Sequence, residues 1–275
     1  MTRILFVGDV HAGSSHAPFP EHYVNPETGV ELTANRVQKR LLRRWYKLAE
    51  RHAPKDSPPD YLILTGDLID GPQRRQNYHT LLLPNVMDQI DVFFKLFRDV
   101  WHAKKIIVVR GTEYHVTVEG LHAEEFIARK LPNVMRISRW SRERASQVDV
   151  RLNFSAHKVK LHVKHEVGVS QVPHYRFTPL ARDVWKLFME DAQFHQHKGY
   201  NIVVRGHTHI YNYIEESTTF IAFINASWQL PTEYAKSRGY YKADIGCVEL
   251  ELDKNDVDIN KDLVTYEFSP HWVKL

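Results

Sequence analysis

The stretch NIVVRGHTH, residues 201–209, runs from β-branched apolar residues through Gly206 into two histidines one residue apart. A short apolar run bounded by turn residues reads as a buried strand, with the glycine marking its passage into a loop. The same design recurs at RILFVGD (3–9), YLILTGD (61–67), KIIVVRG (105–111) and VKLHVKH (159–165). Each is expected to be a strand whose C-terminal end carries polar groups.

Helical periodicity lies between these runs. Residues 33–53 place Val37, Leu41, Trp45 and Leu48 on one face, and residues 85–102 do the same with Val86, Ile90, Phe93, Phe94, Phe97 and Trp101. TPLARDVWKLF (178–188) adds a helix with Thr178 as N-cap and Pro179 at its first position. Strands alternating with helices imply parallel crossovers and an α/β sheet. Beyond Tyr211 the segments TTFIAFINA, IGCVELELD and LVTYEFSP show no helical pattern between them, which predicts an antiparallel addition or a second sheet. Residues 12–32, rich in Gly, Pro, Ser and Asn, form a long loop that is either functional or a disordered excursion.

With 275 residues, 43% of them hydrophobic, the chain can bury one large core, so residues 1–275 are expected to form a single domain. The single cysteine, Cys247, excludes an internal disulfide and a cysteine-based zinc cage, leaving histidines and carboxylates as metal ligands. The chain has no apolar run long enough to span a bilayer, and Asp9 arrives too early for a signal peptide. A cytoplasmic protein without membrane contact is expected. A net charge of +4 and a pI of about 9.0 permit a polyanionic partner without requiring one.

The C-terminal edge of strands in an open α/β sheet is where sites are built. The first strand ends in Asp9 and His11, the second in Asp67 with Asp70 behind it, the third in Glu113 and His115. The next ends in His165 and the last in His207 and His209. Residues two apart in extended chain point the same way, so DVH and HTH each aim two groups into one space. Gly8, Gly66, Gly111 and Gly206 precede these groups and allow tight turns. His162 competes with His165, and the strand-end position favours His165. Asp70 is expected behind the ligands rather than among them. For all of these residues the competing reading is loop capping at strand ends.

Asp9, His11, Asp67, Glu113, His165, His207 and His209 are too many donors for one tetrahedral zinc. They suit two divalent ions bridged by a shared carboxylate. Manganese, iron, zinc and nickel all fit such donors, with manganese favoured.

The series GDVH (8–11), GDLID (66–70), RGTEYH (110–115), KHEVG (164–168) and GHTH (206–209) resembles the five-motif signature of the calcineurin-like metallophosphoesterases. The resemblance implies a four-layer α/β/β/α sandwich of two mixed β-sheets, with a dinuclear metal site at the strand C-terminal ends. It also implies hydrolysis of phosphomonoesters or phosphodiesters. Carried over position by position, Asp9, His11 and His209 hold one ion, His165 and His207 the other, and Asp67 bridges them. The third motif departs from the family's Gly-Asn-His followed by an acid, reading Gly111, Thr112, Glu113, Tyr114, His115. Its register is open between Thr112 and Glu113. A carboxylate oxygen replaces an amide oxygen better than a hydroxyl does, so Glu113 is expected as ligand and His115 beside the leaving group. DVHAGSS with its Pro-rich loop, together with GTEYH, looks most like uncharacterised phage and prophage members of the family.

Two further features bear on substrate. Helix 33–53 carries Arg36, Lys39, Arg40, Arg43, Arg44 and Lys47, either a solvated face or a nucleic-acid contact. SWQLPTEYAKSRGYYKA (227–243) mixes aromatics with cations, as a substrate wall or a packed loop would. The expectation is a phosphoesterase acting on phosphate esters, nucleotides or nucleic acid. The alternative is a non-catalytic metal-binding interaction protein with a degenerate phosphoesterase fold.

Overall fold

The computed structural model describes residues 2–73, 80–118, 121–137, 147–154, 157–170, 172–193, 200–216, 220–252 and 257–267. The N-terminal half contains β1 (Thr2–Val7), β2 (His22–Val24), β3 (Glu31–Thr33), α1 (Arg36–His52), β4 (Tyr61–Leu64), α2 (Val86–Phe97) and β5 (Lys105–Val108). Then come α3 (Glu113–Val116), β6 (Thr117–Val118), β7 (Leu121–His122), α4 (Ala123–Lys130), β8 (Val134–Ile137), β9 (Gln147–Phe154) and β10 (His157–Lys164). The remainder is α5 (Thr178–Gln193), β11 (Ile202–Arg205), β12 (Asn212–Glu216), β13 (Phe220–Ile224), α6 (Glu233–Ser237), β14 (Lys242–Leu252) and β15 (Val257–Glu267).

Two mixed sheets carry the fold. The first has six strands in the order β15-β14-β1-β4-β5-β8, parallel from β1 to β8 and antiparallel at β14 and β15. The second has five, β12-β13-β11-β10-β9, with parallel pairing of β10, β11 and β13 and antiparallel strands at both edges. The expected sandwich is observed, and the residues show why. In β1, Ile4 and Phe6 meet Leu161, Val163, Val204 and Phe223 of the second sheet, while Leu5 and Val7 pack against Leu41, Trp45 and Phe93 of the helices. A strand covered on both faces reads as a continuous apolar run without alternation. The rings of Phe6 and Phe223 meet edge to face across the two sheets at 5.1 Å. Helix α5 covers the far side of the second sheet through Leu180 and Val184, completing the four layers.

Several expectations need correction. Val37 is 43% exposed, outside the buried stripe of α1, which is instead Gln38, Leu41, Leu42, Trp45 and Leu48. Helix α5 already begins at Thr178, where an N-cap was expected, and the carbonyl of Phe177 accepts from Ala181 N. The 12–32 loop is packed rather than disordered: Ala12, Ala17 and Phe19 are fully buried, and β2 and β3 pair within it. Residues 268–270 of the last strand pattern lie outside the described residues. Among the described residues no helix is long and apolar enough to cross a membrane.

Candidate metal centre

Strands β1, β4 and β11 stop before the polar residues that follow them, and the chain then turns left-handed. Asp9, His11, Asp67, His207 and His209 have φ of 48°, 47°, 48°, 75° and 58°. Among the described non-glycine residues only Gln73 and Asn133 share this region. Such conformations cost on the order of 1–3 kcal/mol each and persist where surroundings impose them, commonly at functional sites. DVH and HTH therefore bring their pairs into one space through two left-handed residues, not through the extended geometry expected. The surroundings that impose it are hydrogen bonds between loops: Asp9 N to Gly66 O at 2.9 Å, His11 N to Asp67 O at 3.0 Å, and Trp228 N to Asp9 O at 2.9 Å. Gly66, with φ of 99°, makes the turn before Asp67. Gly111 serves differently, since a Cβ there would overlap the Asp67 carboxylate.

Among the described residues three groups have their ligand atoms within 4.8 Å of one another, two of them made of expected ligands, Asp9, His11 and His209, and Asp67, His165 and His207, and a third of His11, Asp70 and His115. In the first, His11 Nε2 and His209 Nε2 are 3.2 Å apart and His209 Nε2 is 3.3 Å from Asp9 Oδ1. In the second, His165 Nε2 is 2.9 Å from Asp67 Oδ2. His165 Nε2 also lies 3.8 Å from Asp9 Oδ1, so the triads adjoin.

The far ring nitrogens are held from behind. His165 Nδ1 donates to the Thr65 carbonyl at 2.7 Å, and His11 Nδ1 donates to Asp70 Oδ1 at 3.1 Å. Both rings thus aim Nε2 into the site, the arrangement seen for metal-ligating imidazoles. Burial, reinforced by neighbouring imidazoles, keeps His11 well below the ordinary histidine range and takes His207 down to about 4. At neutral pH their lone pairs are available. Burial also pushes His165 down, but the carboxylates of Asp67 and Asp9 outweigh it and raise the group to about 10. Asp67, opposed by its own burial, is held well below the carboxylate range mainly by His165. Positive charge between these groups is therefore favoured.

The structure does not bring Glu113 to the site. Glu113 is exposed in the first turn of α3, whereas the preceding residue is buried against Asp67. Thr112 N donates to Asp67 Oδ1 at 2.7 Å, and Thr112 Oγ1 lies 3.1 Å from both carboxylate oxygens. Gly111 and Thr112 are pressed against Asp67 where the chain enters α3, and Glu113, the first residue of that helix, is left exposed. One turn of α3 then returns His115 to the cluster. Its ring lies 4.7 Å from that of His11, and its Nδ1 donates to the Asp70 carbonyl at 2.6 Å. His162 lies elsewhere, beside Arg205 Nη1 at 3.0 Å.

Gln229 was not singled out from the sequence, where only its place in the 227–243 segment gave any signal. Its Nε2 donates to Asp70 Oδ1 and to Ser14 Oγ, both at 3.0 Å, and so braces the carboxylate that braces His11. An open cleft of about 390 Å³ runs over the cluster, with His11, Asp67, His207 and His209 on one side and Tyr234 and Arg238 on the other.

A family model of calcineurin-like phosphoesterases matches residues 2–211 of the chain. No curated protein matches it. Among solved structures, it is similar to a conserved uncharacterised protein, a predicted phosphoesterase, from Streptococcus pneumoniae TIGR4. That match has 12% identity and a TM-score of 0.39, covering 98% of this chain and 94% of that one. It is also similar to Vps29 complexed with zinc from Entamoeba histolytica, at 13% identity and a TM-score of 0.41, with 95% and 99% covered.

Proposed function

Because the chain belongs to the calcineurin-like phosphoesterase family, we propose that it hydrolyses phosphate esters with two divalent cations, manganese being the favoured metal. Asp9, His11 and His209 would hold one, His165 and His207 the other, and Asp67 would be shared. The observation that carries this reading is the convergence of the two triads on one cleft. The donors fit: carboxylates and imidazoles, with no thiolate, suit borderline divalent ions, and a cation beside Asp67 would take the place of the proton that its carboxylate now holds on His165. When bound, the cations supply Lewis-acid polarisation of the phosphoryl oxygens and a water activated at neutral pH.

The chain's own residues do the rest. Asp70 and the Thr65 carbonyl fix the ring orientation of His11 and His165. Thr112 fixes the Asp67 carboxylate. With its Nδ1–H held by the Asp70 carbonyl, His115 has Nε2 turned away from that bond; in its imidazolium form the ring would pass the Nε2 proton to the departing ester oxygen and remain as the neutral Nδ1–H imidazole. Nucleotides or nucleic acid are the substrate class we favour. Elemental analysis together with hydrolysis of bis-p-nitrophenyl phosphate by manganese-loaded protein tests the reading. Two tightly held ions per chain without turnover of any phosphate ester would favour the non-catalytic alternative instead.

A further inference from the structure

The cleft is larger than the metal cluster needs, and its far rim has a composition of its own. Pocket volumes of roughly 300–1,000 Å³ suit an organic ligand rather than a bare anion, and this cleft, at about 390 Å³, falls within that range. The rim is formed by Tyr234 and Arg238, on and just after α6, by Tyr240 in the turn that follows, and by Lys242 at the start of β14.

The rim is anchored to the site. Trp228 N donates to the Asp9 carbonyl, and Thr232 caps α6 by accepting from Ala235 N at 3.2 Å. Its cations are not equivalent. Lys236 is engaged by Glu233 at 2.6 Å, and Lys242 lies 3.6 Å from Asp244. The Arg238 guanidinium instead sits over the Tyr234 ring, 5.4 Å from its centroid, with no carboxylate against it among the described residues. Tyr234 remains 45% exposed. A guanidinium held beside a part-exposed aromatic ring offers a cation and a ring face together, which suits a base joined to a phosphate.

Resting on the phosphoesterase reading, we propose that this rim is the subsite for the nucleoside arm of a phosphodiester. The base stacks on the Arg238–Tyr234 pair, and the guanidinium attracts the anionic sugar-phosphate side of the substrate.

The test compares two esters with the same leaving group, thymidine 5′-(p-nitrophenyl phosphate) and bis-p-nitrophenyl phosphate, on manganese-loaded protein. The wild type should favour the thymidine ester in kcat/KM by about tenfold, the order expected of one stacked base. Arg238→Gln and Tyr234→Leu should each cut that ratio severalfold, and Tyr234→Phe should keep it. A wild-type ratio near one, or the same ratio in all variants, overturns the subsite. If neither ester is turned over, the phosphoesterase reading fails by itself, and the subsite is judged by calorimetric titration. Thymidine 5′-monophosphate should then bind more tightly than inorganic phosphate, with the difference lost in Arg238→Gln. Equal affinities would overturn the proposal.

Discussion

His11 Nε2 and His209 Nε2 face each other at 3.2 Å inside a pocket that also receives Asp9 Oδ1, 3.3 Å from His209 Nε2. His11 Nδ1 lies 3.1 Å from Asp70 Oδ1, a contact satisfied by the tautomer that carries its proton on Nδ1. Its Nε2 therefore presents a lone pair, and burial keeps the ring from gaining a second proton. A lone pair, a second imidazole nitrogen and a carboxylate oxygen directed at one another form a donor set that a shared cation would satisfy.

The second triad supplies the sharpest loss-of-metal prediction. Asp67 is the carboxylate proposed to serve both ions, and it accepts from Thr112 and His165. Asp67→Asn should bring metal content below two per chain and cut ester hydrolysis by at least about a hundredfold, the upper range for disturbing even an outer partner of a ligand. Circular dichroism should show an intact fold. Full activity with two ions per chain would sink the shared-carboxylate assignment.

The third motif gives a prediction in which neighbouring residues behave oppositely. Glu113 is exposed on α3, so Glu113→Gln should leave metal content and rate unchanged. Thr112→Val removes the hydroxyl that steadies both oxygens of Asp67 but keeps the backbone bond, and should weaken metal affinity by about tenfold. Competition with a fluorescent chelator reads both variants. Metal loss in the Glu113 variant alone would return the ligand role to that residue.

These two variants mark where the sequence was legible. Strand ends at Asp9, Asp67 and His207 could be located because apolar runs stop at glycine, but the runs alone do not tell which of the two sheets each strand joins: 159–165 and 201–207 pair in the second sheet, and the tail strands β14 and β15 in the first. The third motif could not be resolved that way. Chemical preference favours a carboxylate over a hydroxyl, but backbone direction decides what reaches the site, and no local pattern announces that α3 starts at Glu113 and turns it outward. Nor does any spacing signal bring Gln229 to Asp70, a contact made across 159 positions of chain.

The basic helix yields a prediction about nucleic acid, refined by the ion pairs it makes. Arg44 pairs with Asp262, as does Arg51 at 3.0 Å, so Arg44 holds α1 to β15. Arg36, Lys39 and Arg43 instead line a notch of about 290 Å³ with Ala34 and Glu21. The segment Ser15–His16 links the two elements: Asn35 Nδ2, at the start of α1, donates to Ser15 O at 3.1 Å, and Leu230 N, beside the rim, donates to His16 O at 2.9 Å. If a strand continues from cleft to notch, replacing Arg36, Lys39 and Arg43 with Gln should flatten the salt dependence of single-stranded DNA binding. The change in log–log slope should be up to about 2, at roughly 0.7 for each phosphate no longer neutralised. An unchanged slope would make this a solvated face.

The last prediction concerns a buried acid that the proposed chemistry does not use. Glu124 is fully buried in α4; its Oε1 receives Leu68 N at 3.4 Å, and Oε2 has no hydrogen-bond partner among the described residues. Burial first, and then the nearby charge of Asp67, push its carboxyl up to about 8. An unfolded chain would release the same proton near pH 4.3. The folded state thus binds a proton that the unfolded state lacks across the interval between these values. The stability this proton provides is complete below about pH 4.3 and is lost as pH climbs through about 8. Glu124→Gln, neutral at every pH, removes that slope. In metal-free protein its thermal midpoint should rise relative to wild type between pH 5 and pH 8, by the equivalent of a few kcal/mol at most, since a tenfold difference in proton affinity corresponds to about 1.4 kcal/mol. Any cost of fitting the amide displaces the whole curve and leaves this difference between the two pH values untouched. Parallel midpoints at pH 5 and pH 8 would show that Glu124 is ionised in the fold.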